Sequence, residues 1–247
     1  MKIWLFPAIG AVTLLLAWQL VVTVFGVPHY IVPTPLAVFD DLVRERRLIA
    51  SNAVPTALES FFGFLLGNGA AVAVAILFVA NRYLRLTYFP IVLFFNTIPI
   101  LALAPIVVLI FGLGMFPKVV VAAIVCFFPT LVNMIRGLES PTATELDLVH
   151  SLCATRAQIF LHLRLPRSVP YLFAALRIAA QTSVIGALVG EWIGTNKGLG
   201  ALIIESTFNY HAERLYAAVF VSSLLAIVFF AIVSALERRF ARFGLSR

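Results

Sequence analysis

Long apolar segments recur along the chain and restrict its fold more than any other feature of the sequence. A helix needs roughly 20 apolar residues to cross the hydrocarbon of a membrane. Only 12% of the 247 residues are charged, whereas soluble domains carry about 25%. The sequence therefore predicts a single all-α transmembrane domain. Its six predicted spans cover about residues 3–27, 56–80, 88–111, 118–135, 171–193 and 215–236.

Three details refine these spans. The first has no small-residue cleavage site, so we expect a retained span rather than a signal peptide. After it, residues 35–49 carry apolar side chains at helical spacing, which predicts an amphipathic helix at the membrane surface. The third span is interrupted by Pro99 and Pro105.

The basic residues favour one orientation of the chain. Six spans place both termini on the same side, and 11 Lys and Arg residues fall on that side against 6 on the other, with Arg177 left at an edge. The basic cluster at residues 44–47 opposes this majority, but nearby acidic residues partly neutralise it. Because cytoplasmic loops are enriched in Lys and Arg, we expect both termini and residues 139–170 to be cytoplasmic. The net charge of +7 fits this bias better than it fits nucleic-acid binding.

The longest mostly polar interruption in the later part of the chain is ESPTATELDLVHSLCATRAQIFLHLRLPRSVP, residues 139–170. Thr142 and Glu145 have the spacing of a capping box, and Ser140 before Pro141 offers an overlapping helix start. We expect the helical part to end by Leu165, because Pro166 disfavours helix before it. Such an amphipathic segment either lies on anionic headgroups or docks on a cytoplasmic partner.

This segment resembles the signature of the permease subunits of binding-protein-dependent ABC importers. That signature reads Glu-Ala-Ala, three residues, Gly, nine residues, Ile-x-Leu-Pro. Here Asp147-Leu148-Val149, Cys153 and Leu163-Arg164-Leu165-Pro166 occupy its positions. Four further segments are similar to the nitrate, sulfonate, taurine and bicarbonate branch of the family, and the resemblance covers about residues 28–238. They are IVPTPLAVFDDL, LCATRAQIF, LRLPRSVPYLFAALRIA and GEWIGTNKGLGALI.

The resemblance implies a six-helix permease of the type I (MetI-like) architecture in a bacterial inner membrane. Residues 139–166 would form a cytoplasmic coupling helix seated in a groove of a separate ATPase. The implied partners are a second permease copy, making a homodimer, two ATPase subunits and an extracytoplasmic solute-binding protein. ATP and Mg²⁺ would bind to the ATPase, and this chain would need no cofactor. The implied coupling residues are Glu145, Asp147, Leu148, Val149, Leu152, Cys153, Ala154, Arg156, Leu163, Leu165 and Pro166.

The segment departs from the family signature at several positions. Asp147 is shorter than the usual Glu, Leu148 and Val149 replace two alanines, and Cys153 replaces the glycine. A glycine allows a turn that other residues disfavour, whereas a cysteine permits ordinary helix. We therefore expect a bulkier docking surface, or two half-helices that are less sharply kinked.

The sequence offers no catalytic site of its own. It lacks the Gly-x₄-Gly-Lys-Ser/Thr run that binds nucleotide phosphates, and GTNKGLG is interpreted as a turn between membrane elements. The four histidines are scattered, without metal-ligand spacing, and there is no nucleophile elbow. The sequence therefore predicts a chain without catalytic or metal-binding residues.

Polar and small residues inside the predicted spans are further candidates for functional or packing roles. Because polar groups are costly in hydrocarbon, they either line a solute path or form hydrogen bonds between helices. The residues expected to line a path are Asn96, Thr97, Gln181, Ser183 and Glu191. Gly186 and Gly190 either contact a second copy or pack within one copy.

Two other functions would suit a chain of this composition. A secondary transporter or channel acting alone would show inverted repeats or a chain of intramembrane carboxylates, and neither is evident. A membrane anchor that recruits a partner without transporting anything would not need the polar residues in the third and fifth spans.

Overall fold

The computed structural model describes residues 5–193 and 195–244, and this part of the chain is helical with no strand. The bilayer-length elements alternate with short helices at the two ends of the bundle. The helices are α1 (Leu5–Val24), α2 (Pro35–Arg44), α3 (Arg46–Ala80), α4 (Arg82–Asn96), α5 (Ile100–Phe111), α6 (Met115–Leu138), α7 (Ala143–Ser151), α8 (Arg156–Glu191), α9 (Leu199–Phe208) and α10 (Ala212–Gly244).

Within the described residues, four helices, α3, α6, α8 and α10, are long and apolar enough to cross a membrane. The pair α4 and α5 adds a fifth span if it is counted as one, although the two helices are bent by 103°. The predicted membrane class is therefore confirmed, and in this part of the chain helix length and composition support four or five of the six predicted spans. The third predicted span is split because the chain leaves the helix between Asn96 and Ile100, around Pro99.

Helix α6 lies at the centre of the bundle, between α3 and α8. Small residues bring these backbones together: a Cβ on Gly67 of α3 would lie 2.3 Å from the carbonyl oxygen of Ala123, and one on Gly186 of α8 would lie 2.6 Å from Ala122 Cα. Gly190 approaches Lys118 in the same way. Of the two readings of Gly186 and Gly190, the structure supports packing within one copy.

The predicted stop before Pro166 is wrong. Helix α8 runs for 36 residues from Arg156 through Pro166 and Pro170 to Glu191. A π turn over Phe160–Arg164 widens the helix just before Pro166, and such insertions accommodate local disruption of the backbone ladder. The polar segment consequently contains one separate helix, α7, and the beginning of a span.

Candidate functional site

Helix α7 stands outside the spans at the end of the bundle where α3 and α6 terminate. Its first turn is closed by the predicted capping box, which is confirmed: Glu145 N donates to Thr142 Oγ1 at 3.3 Å, and Thr142 N donates to Glu145 Oε2 at 2.9 Å. Glu145 also forms an ion pair with Arg167 of α8. The start of α7 is therefore set by the capping box, and the ion pair connects α7 to α8.

One side of α7 faces the bundle and the other is open. Leu146 and His150 line a cavity of about 550 Å³ whose other walls come from the ends of α3 and from α8. In contrast, Leu148 is 62% exposed and Leu152 is 73% exposed. Asp147, Cys153 and Arg156 are exposed beside them, while Val149 and Ala154 are half-buried. The open side therefore presents apolar side chains within a polar rim.

Cys153 adopts the backbone conformation that the family's glycine would favour. Its φ is +55°, in the left-handed region that costs a non-glycine residue about 1–2 kcal/mol. Cys153 N donates to His150 O at 2.9 Å, and Ala154 N donates to Val149 O at 3.1 Å, which is the Schellman pattern at a helix end. The expectation of ordinary helix here is wrong, because these two bonds end α7 and require the left-handed residue.

Replacing Cys153 by glycine is therefore expected to stabilise the protein. Relief of the left-handed strain should raise the free energy of unfolding by about 0.5–1 kcal/mol, a shift of roughly 1–4 °C in Tm for a chain of this size. Thermal denaturation in detergent measures the shift. Cys153→Ala, which removes the thiol and keeps the strain, is the control, and an equal Tm for both variants would contradict the explanation.

The second half of the polar segment starts with a capping box that our sequence analysis missed. Gln158 N donates to Thr155 Oγ1 at 3.3 Å, and Thr155 N donates to Gln158 Oε1 at 2.8 Å. The spacing Thr155-Arg-Ala-Gln158 carries the same signal as Thr142 and Glu145 and could have been recognised. Leu163, Leu165 and Pro166 consequently belong to the first turns of α8, not to the helix that precedes it.

The polar residues predicted to line a path divide into two groups. Gln181 is exposed within α8, whereas Asn96 and Thr97 are exposed at the end of α4, where the chain breaks before α5. Ser183 is buried, and its hydroxyl donates to Ala180 O at 3.0 Å. Glu191 is also buried. The first group is accessible to a second protomer or to water, whereas the second group is enclosed.

A network of buried polar side chains connects the helices at the end of the bundle opposite α7. The carboxylate of Glu191 accepts from Thr56 Oγ1 and from Gly200 N, both at 2.6 Å. Lys118 Nζ lies 3.0 Å from Glu59 Oε1 and donates to Thr195 Oγ1 at 2.9 Å. These bonds join α3, α6 and α8 to the loop before α9.

Two more bonds reach the same loop from α3. Gly198 N donates to Asn52 Oδ1 at 2.9 Å, and Leu199 N donates to Thr56 Oγ1 at 2.8 Å. The pairing of Glu59 with Lys118 was not predicted from the sequence. The available signal was one acidic and one basic residue, each within the first few residues of a predicted span, 56–80 and 118–135.

The chain resembles known proteins along nearly its whole length. Residues 44–242 match the family described as binding-protein-dependent transport system inner membrane component. A probable ABC transporter permease protein of Haemophilus influenzae is 33% identical over 234 residues, covering 95% of this chain and 96% of that protein. The formylaminopyrimidine transport permease protein ThiX of Halalkalibacterium halodurans is 32% identical, covering 94% of this chain and 92% of that protein.

A more distant relative represents the sulfonate branch. The putative aliphatic sulfonates transport permease protein SsuC of Bacillus subtilis is 24% identical over 242 residues, covering 97% of this chain and 86% of that protein. The family match and the similarity over whole chains agree with the apolar helices and with the resemblance inferred from the motif. The chain therefore belongs to the binding-protein-dependent transport system inner membrane components, and it is a multi-pass permease subunit of an ABC importer.

Proposed function

We propose that two copies of this permease enclose a solute path and that α7 is the coupling helix that transmits ATPase movement to it. The observation that carries the proposal is the arrangement of α7, a capped helix outside the spans that exposes Leu148 and Leu152 and pairs with α8 through Glu145 and Arg167. Family membership leaves a lone transporter or a passive anchor without support.

Helix α8 supplies the mechanical connection. It is one continuous helix from Arg156, close to α7, to Glu191 at the opposite end. A displacement of α7 by the ATPase would thus reach both the middle of the membrane and the buried network around Glu191. A coupling element must be rigid in this way, since a two-state movement is passed on only through packed or bonded contacts.

The proposed partners are those of a binding-protein-dependent transport system. ATP and Mg²⁺ bind to a separate cytoplasmic ATPase that contacts α7, and this chain performs no hydrolysis. A solute-binding protein docks at the opposite end of the bundle. The excess of Lys and Arg on the α7 side supports cytoplasmic termini, and the description of the family as inner membrane components supports a bacterial inner membrane location.

The exposed polar residues support a path between two copies. Asn96, Thr97 and Gln181 are exposed among apolar side chains. The Thr97 hydroxyl donates to Phe94 O at 2.7 Å, but the side-chain amides of Asn96 and Gln181 need partners, since unsatisfied polar groups in hydrocarbon cost about several kcal/mol each. A second protomer together with water removes that cost. Ser183 and Glu191 then act behind the path, by fixing helix positions from inside the protomer.

The solute is proposed to be a small pyrimidine-type heterocycle. The relative whose name specifies formylaminopyrimidine is 32% identical to this chain, and the one named for aliphatic sulfonates is 24% identical. Stimulation of ATP hydrolysis by binding proteins loaded with an aminopyrimidine or with a sulfonate distinguishes the two classes. Stimulation by the sulfonate-loaded protein alone would refute the heterocycle assignment.

Charge substitutions on the open side of α7 test the ATPase contact. Leu148→Glu and Arg156→Glu should each abolish co-purification of the ATPase, because both side chains are exposed on the proposed contact face. Leu36→Glu is the matched control: Leu36 is 71% exposed on α2, far from α7 in the chain. Equal recovery of the ATPase with all three variants would contradict the docking assignment.

Thiol labelling tests the path. In a Cys153→Ala background, Gln181→Cys should react with a membrane-impermeant maleimide in the assembled transporter, because residue 181 would face water. Leu66→Cys should not react, since Leu66 is exposed on an all-apolar face of α3. The proposal fails if residue 181 is as unreactive as residue 66 in both nucleotide-bound and nucleotide-free states.

A further inference from the structure

Two neighbouring cavities run along one side of α3 and α6 and share Met115. The first, of about 550 Å³, lies at the end opposite α7 and is lined by Glu59, Lys118, Thr195 and Lys197 among apolar residues. The second, of about 610 Å³, is walled entirely by apolar side chains, including Phe62, Leu65 and Val119. Together they form a groove with a polar end and an apolar length, which we name the α3–α6 groove.

The exposed face of α3 has the same division. Arg47, Ser51, Val54, Leu58, Phe62 and Leu65 follow one another at intervals of three or four residues, so they lie on one helix face. All six are exposed. The apolar part, from Val54 to Leu65, rises roughly 16 Å along the helix, close to the roughly 15 Å depth of one leaflet.

Charge is concentrated at the polar end. Among the residues that line this end, Lys118 and Lys197 are basic and Glu59 is acidic, which leaves a net charge of +1. Arg47 adds a further positive charge on the same face of α3, seven residues before Val54. Lys197 and Arg47 are exposed, and Lys118 is held at the cavity wall by Glu59 and Thr195. The cavity is lined by apolar residues alone, whereas Asn96 and Gln181 are polar and exposed elsewhere, so the α3–α6 groove does not suit a water-filled path.

We propose that the α3–α6 groove binds an anionic phospholipid from the leaflet opposite α7. Its phosphate lies at Lys197 and Arg47, with Lys118 beneath, and one acyl chain lies between α3 and α6 along Phe62 and Leu65. The occupant is a lipid because the groove combines a cationic end with an apolar length that equals one leaflet. The bound lipid stabilises the contact between α3 and α6, and thereby the region around the buried network.

Native mass spectrometry of the full transporter in neutral phosphatidylcholine nanodiscs, titrated with phosphatidylglycerol, tests this site. Each basic residue near a membrane contributes about 1 kcal/mol to anionic-lipid binding, so Arg47→Gln/Lys197→Gln should weaken phosphatidylglycerol binding about thirty-fold. The matched control is Arg44→Gln/Arg46→Gln, which removes the same charge from residues off the groove face. Equal weakening by both double variants would overturn the proposal.

A second measurement identifies what covers the groove. A phosphatidylglycerol with a photoreactive acyl chain should label peptides of α3 and α6 around Phe62 and Met115. In a Cys153→Ala background, Leu58→Cys should form no interchain disulfide under oxidation. Interchain disulfide formation at residue 58, together with the absence of lipid labelling, would overturn the lipid assignment and give this face to a second copy.

Discussion

Lys118→Met is expected to destabilise the protein more than any other single substitution in the network opposite α7. The Lys118 and Glu59 side chains are only 8% and 2% exposed and lie 3.0 Å apart. Removing one partner of a buried ion pair leaves an uncompensated charge and costs about 3–5 kcal/mol. Thermal and SDS-induced unfolding of the purified permease in detergent measure the loss.

The double variant Lys118→Met/Glu59→Gln separates charge from packing. With residue 59 uncharged as well, the loss of Lys118 no longer leaves the Glu59 carboxylate without its partner, so most of the lost stability should return. The hydrogen bond from Lys118 to Thr195 is absent from both variants, which makes them comparable in that respect. A double variant as unstable as Lys118→Met would show that the ion pair is not the reason for the loss.

Gly67→Ala is expected to separate α3 from α6. The added Cβ would lie 2.3 Å from the carbonyl oxygen of Ala123 and 2.9 Å from its Cα. Because these are backbone atoms, no side-chain rotation relieves the contact, and overpacking of this kind costs about 1–3 kcal/mol. We expect a lower unfolding temperature and reduced ATP-dependent uptake in proteoliposomes.

Gly69→Ala is the matched control in the same helix. A Cβ at Gly69 would meet nothing within 4 Å, so the substitution should be neutral or stabilise the helix by up to about 1 kcal/mol. The comparison isolates the close approach of the two helices from the helix propensity of alanine. Similar unfolding temperatures for the two variants would contradict the packing of α3 on α6.

The membrane class and the beginning of α7 were predictable because both depend on local sequence. The length of the apolar runs predicts most of the spans, and the two residues of the capping box, Thr142 and Glu145, are three positions apart. The span boundaries were less predictable: α3 begins at Arg46 and continues through Pro55, and α8 continues through Pro166. A proline indicates where a backbone donor is missing, but not whether a π turn or a neighbouring helix compensates for it.

The buried network was not predictable, because its members are distant in the chain. Thr56 and Glu191 are 135 positions apart, and Asn52 and Gly198 are 146 apart. Helix α9, whose first residues contact these side chains, was also missed, because its 10 residues are too few for a span. Glu191 was recognised as an unusual intramembrane carboxylate, but its hydrogen-bond partners depend on how α3 and α8 pack on α6.

The backbone conformation of Cys153 was also not predictable from the sequence. Its φ of +55° is set by the two bonds that end α7, and a cysteine in the sequence gives no indication of a left-handed residue. The family motif predicts the turn better than the residue itself does. Cys153 therefore forms the left-handed turn that the glycine of the motif would favour, although the residue itself is not glycine.

The reactivity of Cys153 tests most directly whether α7 contacts the ATPase. Cys153 is exposed at the end of α7, and Cys126, the other cysteine, is buried in α6. In the permease alone, a maleimide should modify Cys153 rapidly and leave Cys126 unmodified. With the ATPase bound, modification of Cys153 should be strongly slowed. An unchanged rate at saturating ATPase, with complex formation verified by size-exclusion chromatography, would contradict the assignment of α7 as the coupling helix.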